Sequence, residues 1–436
     1  MKKSLLIYYA VLLLMLCVWT SPSLPPLGIR LVYFAAVLLP IFKRKSANYP
    51  AILSLFVLVS ANRFAPSFMP FMPNYLLVAT LFMLMGVRFK ASVKAPLPLF
   101  VMLAIILCID FIHSRTIASS SYILGIIILF FLFIDEHLEQ RRNELALSFL
   151  IIVAILGVES LLYGNDASAT ETLTVDGMER VGWSDPNYFS HMLGMGALVA
   201  LQLLFTYTNL SKNLRYTLLG LLFVIVLVMF LVASRGGLVA LAGSTVVLAL
   251  LSRKTNSNAI KLLMVMLLFV FALYAMGAFD IMFARVENED EAELGGRSLV
   301  WASKLVEFTA QASPIDWIFG IGKERALGLA NYLAEGEVMG FHNDYLAILL
   351  SYGIVGLLGF VFLLAYPIFK FKNAAVTSGI VFLALYSMSL EPMFAGVMGY
   401  SCFYFYLYIW GASTQYEDSS AVQESETTEE EQICTT

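Results

Sequence analysis

The chain has 436 residues, 60% of them hydrophobic and only 13% charged, with a mean hydropathy of +0.81 and a formal net charge of −4. That balance excludes a water-soluble globular protein, and no nucleic-acid partner is expected. Four scattered cysteines, Cys17, Cys108, Cys402 and Cys434, form neither a disulfide framework nor a metal-ligand spacing.

Apolar runs of about 17–25 residues recur along the chain, each long enough to cross ~30 Å of hydrocarbon as a helix. Hydropathy places them at roughly 4–20, 27–42, 50–64, 73–87, 96–112, 119–135, 145–163, 187–207, 216–233, 236–251, 262–279, 344–369, 374–390 and 395–412. The first follows Met1-Lys2-Lys3 like a signal peptide, but lacks a clear small-x-small cleavage site and is read as an uncleaved helix. The expected fold is an all-α polytopic membrane protein with about 14 transmembrane helices and one large outer loop carrying short amphipathic helices. Three parts follow: N-terminal helices over 1–163, a membrane region over 164–412 that includes the loop 280–342, and an acidic tail over 413–436. The tail is poor in apolar residues and reads as disordered.

With the N-terminus inside, every inner connection carries basic residues, among them Lys43, Arg88, Arg141, Lys212, Arg215, Lys254, Lys370 and Lys372. This satisfies the positive-inside rule and puts both termini on the cytoplasmic side. The outer cations differ in kind. Apart from Lys304 and Lys323 they are arginines: Arg30, Arg63, Arg115, Arg180, Arg235, Arg285, Arg297 and Arg325. A guanidinium presents a planar fork that matches phosphate oxygens, whereas an ammonium is a point charge. An arginine-rich outer face therefore suits a phosphorylated ligand. Snorkelling to lipid phosphates stays open as the alternative, most of all for Arg30, Arg63 and Arg115.

Two outer loops are long. The first, 164–187, ends in Asp185-Pro186-Asn187, with Pro186 suited to a first helical turn and Asp185 to its N-cap. In the second, Trp301, Leu305, Phe308 and Ala312 recur at helical spacing from Arg297 onward. They predict an amphipathic helix on the outer membrane surface. Ser313-Pro314 breaks it, Gly320-Ile321-Gly322 gives a turn, and 323–333 fits a second short helix.

Between two spans, Ser234-Arg235-Gly236-Gly237 makes a tight turn whose glycines let backbone N–H groups approach an anion. A hairpin turn with a snorkelling arginine is its structural alternative. His342 follows a glycine–phenylalanine pair and precedes Asn343 and Asp344, where a long span begins. A neutral imidazole there could take a proton from a sugar hydroxyl, although the segment also reads as a simple helix cap. His113 and His191 fit polar residues within the bundle, and His137 a solvated inner position. The acidic run from Glu287 to Glu293 lacks a defined ligand geometry, and no metal site or cofactor is expected. Charges near span centres are scarce, which disfavours a transporter.

The ordered set of Arg180, Asp185-Pro186-Asn187-Tyr188, Ser234-Arg235-Gly236-Gly237, Gly296-Arg297-Ser298 with Trp301, Gly320-Ile321-Gly322 and His342-Asn343-Asp344-Tyr345-Leu346 resembles the bacterial O-antigen ligase and O-antigen polymerase superfamily. These are Wzy-type membrane glycosyltransferases of the GT-C kind, and the resemblance covers roughly residues 160–370. It implies metal-independent, inverting transfer of a glycan from undecaprenyl pyrophosphate to an acceptor hydroxyl at the periplasmic face of the inner membrane. It assigns the pyrophosphate to Arg180, Arg235 and Arg297, the general base to His342, and supporting roles to Asn187, Gly236 and Asn343. The implied partners are the lipid-linked donor, a glycan or lipid-linked acceptor and the bilayer, with a chain-length regulator or flippase as further partners. Polymerisation of surface polysaccharide is preferred to ligation onto lipid A–core, because the loop is modest and its outer face not densely cationic. A glycan flippase is the alternative from another class.

Overall fold

The computed structural model describes residues 186–206, 210–232, 234–252, 297–329 and 340–388, two short strands, and isolated helical positions within 104–113, 146–158 and 260–274. Among these residues the fold is helical apart from one two-residue hairpin. Thr174–Val175 (β1) pairs antiparallel with Met178–Glu179 (β2), Thr174 opposite Glu179. Asp176 and Gly177 stand between the strands, a dipeptide favoured in two-residue hairpins. The helices are Pro186–Thr206 (α1), Lys212–Val232 (α2), Arg235–Ser252 (α3), Arg297–Gln311 (α4), Pro314–Phe319 (α5), Lys323–Leu327 (α6), Asp344–Phe371 (α7) and Ala374–Tyr386 (α8).

Three of them, over Lys212–Val232, Arg235–Ser252 and Asp344–Phe369, are long and apolar enough to cross a membrane. Phe189–Phe205 and Ala374–Tyr386 are shorter apolar helices beside them. These agree closely with the corresponding spans expected from hydropathy. The earlier spans and that at 262–279 fall on residues that are undescribed or described only at isolated positions, and residues 280–296 of the loop, the final span and the acidic tail lie outside the described residues. α1 begins at Pro186, as the sequence indicates. Asp185 lies outside the described residues.

The bundle is built on α3, which packs against α8 on one side and α1 on another, while α1 also packs along α2. The buried stripe of α3 is Gly237, Ala240, Leu241, Ser244, Thr245, Leu248, Ala249 and Ser252, one face at 3.6-residue periodicity. Small side chains on that face let helices approach closely, the usual basis of packing where lipid removes the hydrophobic drive. The hydroxyls of Ser244 and Thr245 donate to the Leu241 carbonyl at 2.9 and 2.7 Å, so they stay satisfied within their own helix. Val239, Val246 and Leu250 project from the opposite face into the surroundings, as lipid-facing residues should.

Contacts between helices fix which ends lie together. Ser190 sits against Gly237, His191 packs on Tyr386, and the Asp344 N–H donates to the Ser387 carbonyl at 2.9 Å. One end of the bundle therefore gathers the start of α1, the α2–α3 turn, the end of α8 and the start of α7. The short α1–α2 and α7–α8 connections put Lys212, Arg215, Lys370 and Lys372 at the other end. The separation of lysine-rich connections from Arg235 and His342 seen in the sequence is thus a separation in space.

Candidate functional site

The amphipathic segment does form a helix, α4, but its apolar stripe is turned by about one position. Val300, Lys304 and Phe308 are buried among the described side chains of α4, with Trp301 half-buried beside them, while Leu305 and Val306 are exposed. The Phe308 ring meets Trp317 of α5 edge-on at 5.0 Å. Much of the stripe thus faces protein, while Leu305, Val306, Ile315 and Ile318 stay exposed. Ser313-Pro314, read as a helix break, is also a helix start. Ser313 caps α5 in a capping box with Asp316, and Pro314 occupies the first turn. The Ser313 backbone N–H and hydroxyl each donate to the Asp316 carboxylate at 2.8 Å. These bonds hold its carboxyl below the usual range, and Arg325 and His113 add to the effect.

After α5 the chain docks into a kink of α7. Gly353 has φ 66° and ψ −165°, a region open essentially to glycine alone, and it interrupts α7 about ten residues from its start. The Ile321 N–H donates to the Leu350 carbonyl at 3.0 Å and the Gly322 N–H to the Ser351 carbonyl at 2.9 Å. The Gly320-Ile321-Gly322 turn thereby satisfies carbonyls at the kink, as a break inside a membrane helix requires. Gly320, at φ 77°, faces the Ser351 backbone where any side chain would collide. The connection between α5 and α6 is in this way joined to the membrane helix that carries His342 at its start.

His342 itself is half-buried and left-handed, with φ 51°. Histidine, asparagine and aspartate enter that region more readily than other side chains, though still at some cost. On its upstream side the Phe341 carbonyl accepts the Trp301 indole N–H at 2.6 Å. On its downstream side Asn343 caps α7, its side-chain oxygen accepting the Leu346 N–H at 3.1 Å. Asp344 is fully buried, and the Ser387 hydroxyl donates to its carboxylate at 2.8 Å. The chain on both sides of the imidazole is held.

Arg235 is the first residue of α3 and is half-buried, with Gly236 following. The Ser190 hydroxyl approaches Gly237 so closely that a Cβ there would overlap it, so a larger residue would displace the Ser190 side chain. Arg235 and Gly236 lie at the same bundle end as His342. Arg297 is the first residue of α4, and Asn187 stands in the first turn of α1. Arg180 lies outside the described residues. His191 is buried against Phe382 and Tyr386, and His113 touches Gly322. Sequence reading gave no site role to Lys304 or Asp344 and did not single out Ser387. For Lys304 a signal existed: a lysine three residues after Trp301, in the middle of an apolar stripe.

Residues 219–361 match the family model described as O-antigen ligase. The matched region is 143 of the 436 residues and spans the turn at Arg235, helices α4–α6 and the start of α7 with His342. Of the motifs behind the resemblance, Ser234–Gly237, Gly296–Ser298 with Trp301, Gly320–Gly322 and His342–Leu346 lie inside this stretch, whereas Arg180 and Asp185-Pro186-Asn187-Tyr188 precede it. Over this third of the chain the sequence is similar to O-antigen ligases, and three of the described helices are long and apolar enough to cross a membrane. No curated protein matches the chain significantly.

Proposed function

We propose that the chain is a metal-independent, inverting glycosyltransferase that polymerises surface polysaccharide repeat units from an undecaprenyl-pyrophosphate donor at the periplasmic face of the inner membrane. The observation that carries this reading is the gathering of Arg235, at the head of α3, and His342, at the head of α7, at one end of the bundle. His342 takes the proton of the acceptor hydroxyl as that oxygen attacks the anomeric carbon. The bond from that carbon to the pyrophosphate oxygen breaks, and undecaprenyl pyrophosphate leaves. Arg180, Arg235 and Arg297 hold the pyrophosphate and stabilise the charge it gains, the effect of preorganised cations where negative charge develops. Asn187, Gly236 and Asn343 support these groups, and no cofactor takes part.

Ligation onto lipid A–core is the second reading, favoured by the description of the matching family. Reconstituting the purified protein with the lipid-linked donor and either a second lipid-linked unit or lipid A–core tests both. Transfer without added metal supports the reading, and the acceptor consumed separates polymerase from ligase. Translocation of the donor without transfer would make the protein a flippase instead.

Two further results are expected. Arg235→Lys and Arg297→Lys keep the charge but lose the bidentate fork, so each should reduce transfer about tenfold or more at unchanged membrane abundance. Wild-type output from both variants would overturn the phosphate role. Cysteines placed at Glu289 and Ser420 should label from opposite faces of the membrane, Glu289 from the periplasm. Cytoplasmic labelling at Glu289 would reverse the topology and remove the proposed site from its donor.

A further inference from the structure

The left-handed turn at His342 has its upstream flank held by a helix some forty residues earlier. Trp301 of α4 gives its only side-chain N–H to the Phe341 carbonyl. One turn further along α4, Lys304 is completely buried, with its ammonium 4.9 Å from the centre of the Phe341 ring. That ammonium also donates to the Leu327 carbonyl at 2.8 Å and the Leu329 carbonyl at 3.0 Å, where α6 ends. A buried cation is tolerated only when its donors are taken up, and here the carbonyls and the aromatic face do so. Phe341, itself fully buried, is thus fixed at its carbonyl and at its ring. Downstream, Asp344 is fixed to Ser387 by two hydrogen bonds. A backbone in a sparsely populated region persists when its surroundings over-determine it, and only His342 and Asn343 stand between these two anchors.

We infer that Trp301 and Lys304 are positioning residues that act through Phe341 to set the imidazole of His342. The inference rests on the proposed role of His342 as general base. Neither side chain needs to touch substrate. A base works only within a narrow range of distance and direction, so releasing one anchor should cost turnover while leaving donor affinity alone.

The test uses the full-length protein reconstituted with the undecaprenyl-pyrophosphate-linked donor and the acceptor that the wild type consumes. Trp301→Phe keeps an aromatic ring and removes the N–H. It should lower kcat about tenfold with the donor KM within about twofold of wild type. Combined with His342→Asn, it should cause little further loss, because a residue that acts through His342 has nothing left to position. Phe341→Leu keeps the carbonyl and removes the ring beneath Lys304, and should show the same pattern with a smaller fall in kcat. It carries the test if Trp301→Phe fails to accumulate in membranes. Wild-type kcat in these variants, or a loss that multiplies fully with that of His342→Asn, would overturn the positioning role while the base assignment stands. An active wild type with an equally active His342→Asn would overturn the base assignment, and the positioning role with it.

Discussion

His342→Asn is expected to lower glycan transfer by about 10²–10⁴-fold, the range typical for loss of a general base. Asparagine is the informative substitution because the position is left-handed, with φ 51°, a conformation that asparagine accepts. Its amide has no useful basicity near neutral pH, so the chemistry is removed while the turn into α7 is kept. His342→Ala removes the base as well, but adds the cost of a left-handed alanine, about 1–2 kcal/mol. The two variants should therefore be equally slow, with the alanine protein the less stable. Donor binding should survive in both, since the proposed pyrophosphate ligands are arginines elsewhere. In cells, lipid-linked repeat units should accumulate at the periplasmic face. If His342→Asn transferred at the wild-type rate, the base would have to be sought at His113 or His191. His113 lies against Gly322, whereas both ring nitrogens of His191 are buried without a hydrogen-bond partner among the described residues.

The second large effect is on stability. Gly353→Ala should destabilise the protein by about 3 kcal/mol or more, from two sources. A side chain at φ 66° and ψ −165° stores about 1–3 kcal/mol of backbone strain. Its Cβ would also collide with the Ile318 carbonyl, so α5 and the following turn must withdraw. That withdrawal strains the bonds from Ile321 and Gly322 to the kink, each worth about 1 kcal/mol. Gly220→Ala is the matched control, because a Cβ there meets no atom of the described residues within 4 Å. Thermal unfolding of the purified proteins in detergent should separate the two variants clearly. Equal melting would mean that the docking of the Gly320–Gly322 turn contributes nothing to the fold.

The sequence alone determined where the described membrane helices lie. Their length and apolarity are forced by the thickness of hydrocarbon, and Pro186 and Asn343 mark starts through local backbone chemistry. It also determined the ordered motifs around Arg235, Arg297 and His342, which fall within the region matched by the family model. Position along the chain could not decide orientation around α4. The stripe expected at Trp301, Leu305, Phe308 and Ala312 became Val300, Lys304 and Phe308, with the lysine inside. Lys304, counted from its type as an outer cation, is buried because carbonyls 23 and 25 residues away accept its protons. Ser313-Pro314 read as a stop because proline ends a helix from within, yet Asp316 made it a start. The left-handed turn at His342, like the burial of Lys304, is flanked by contacts to distant segments. Hydropathy and helix signals belong to residues and their near neighbours. Satisfying a buried ammonium, a kinked helix or a strained backbone needs partners from distant segments, and only the tertiary structure supplies those.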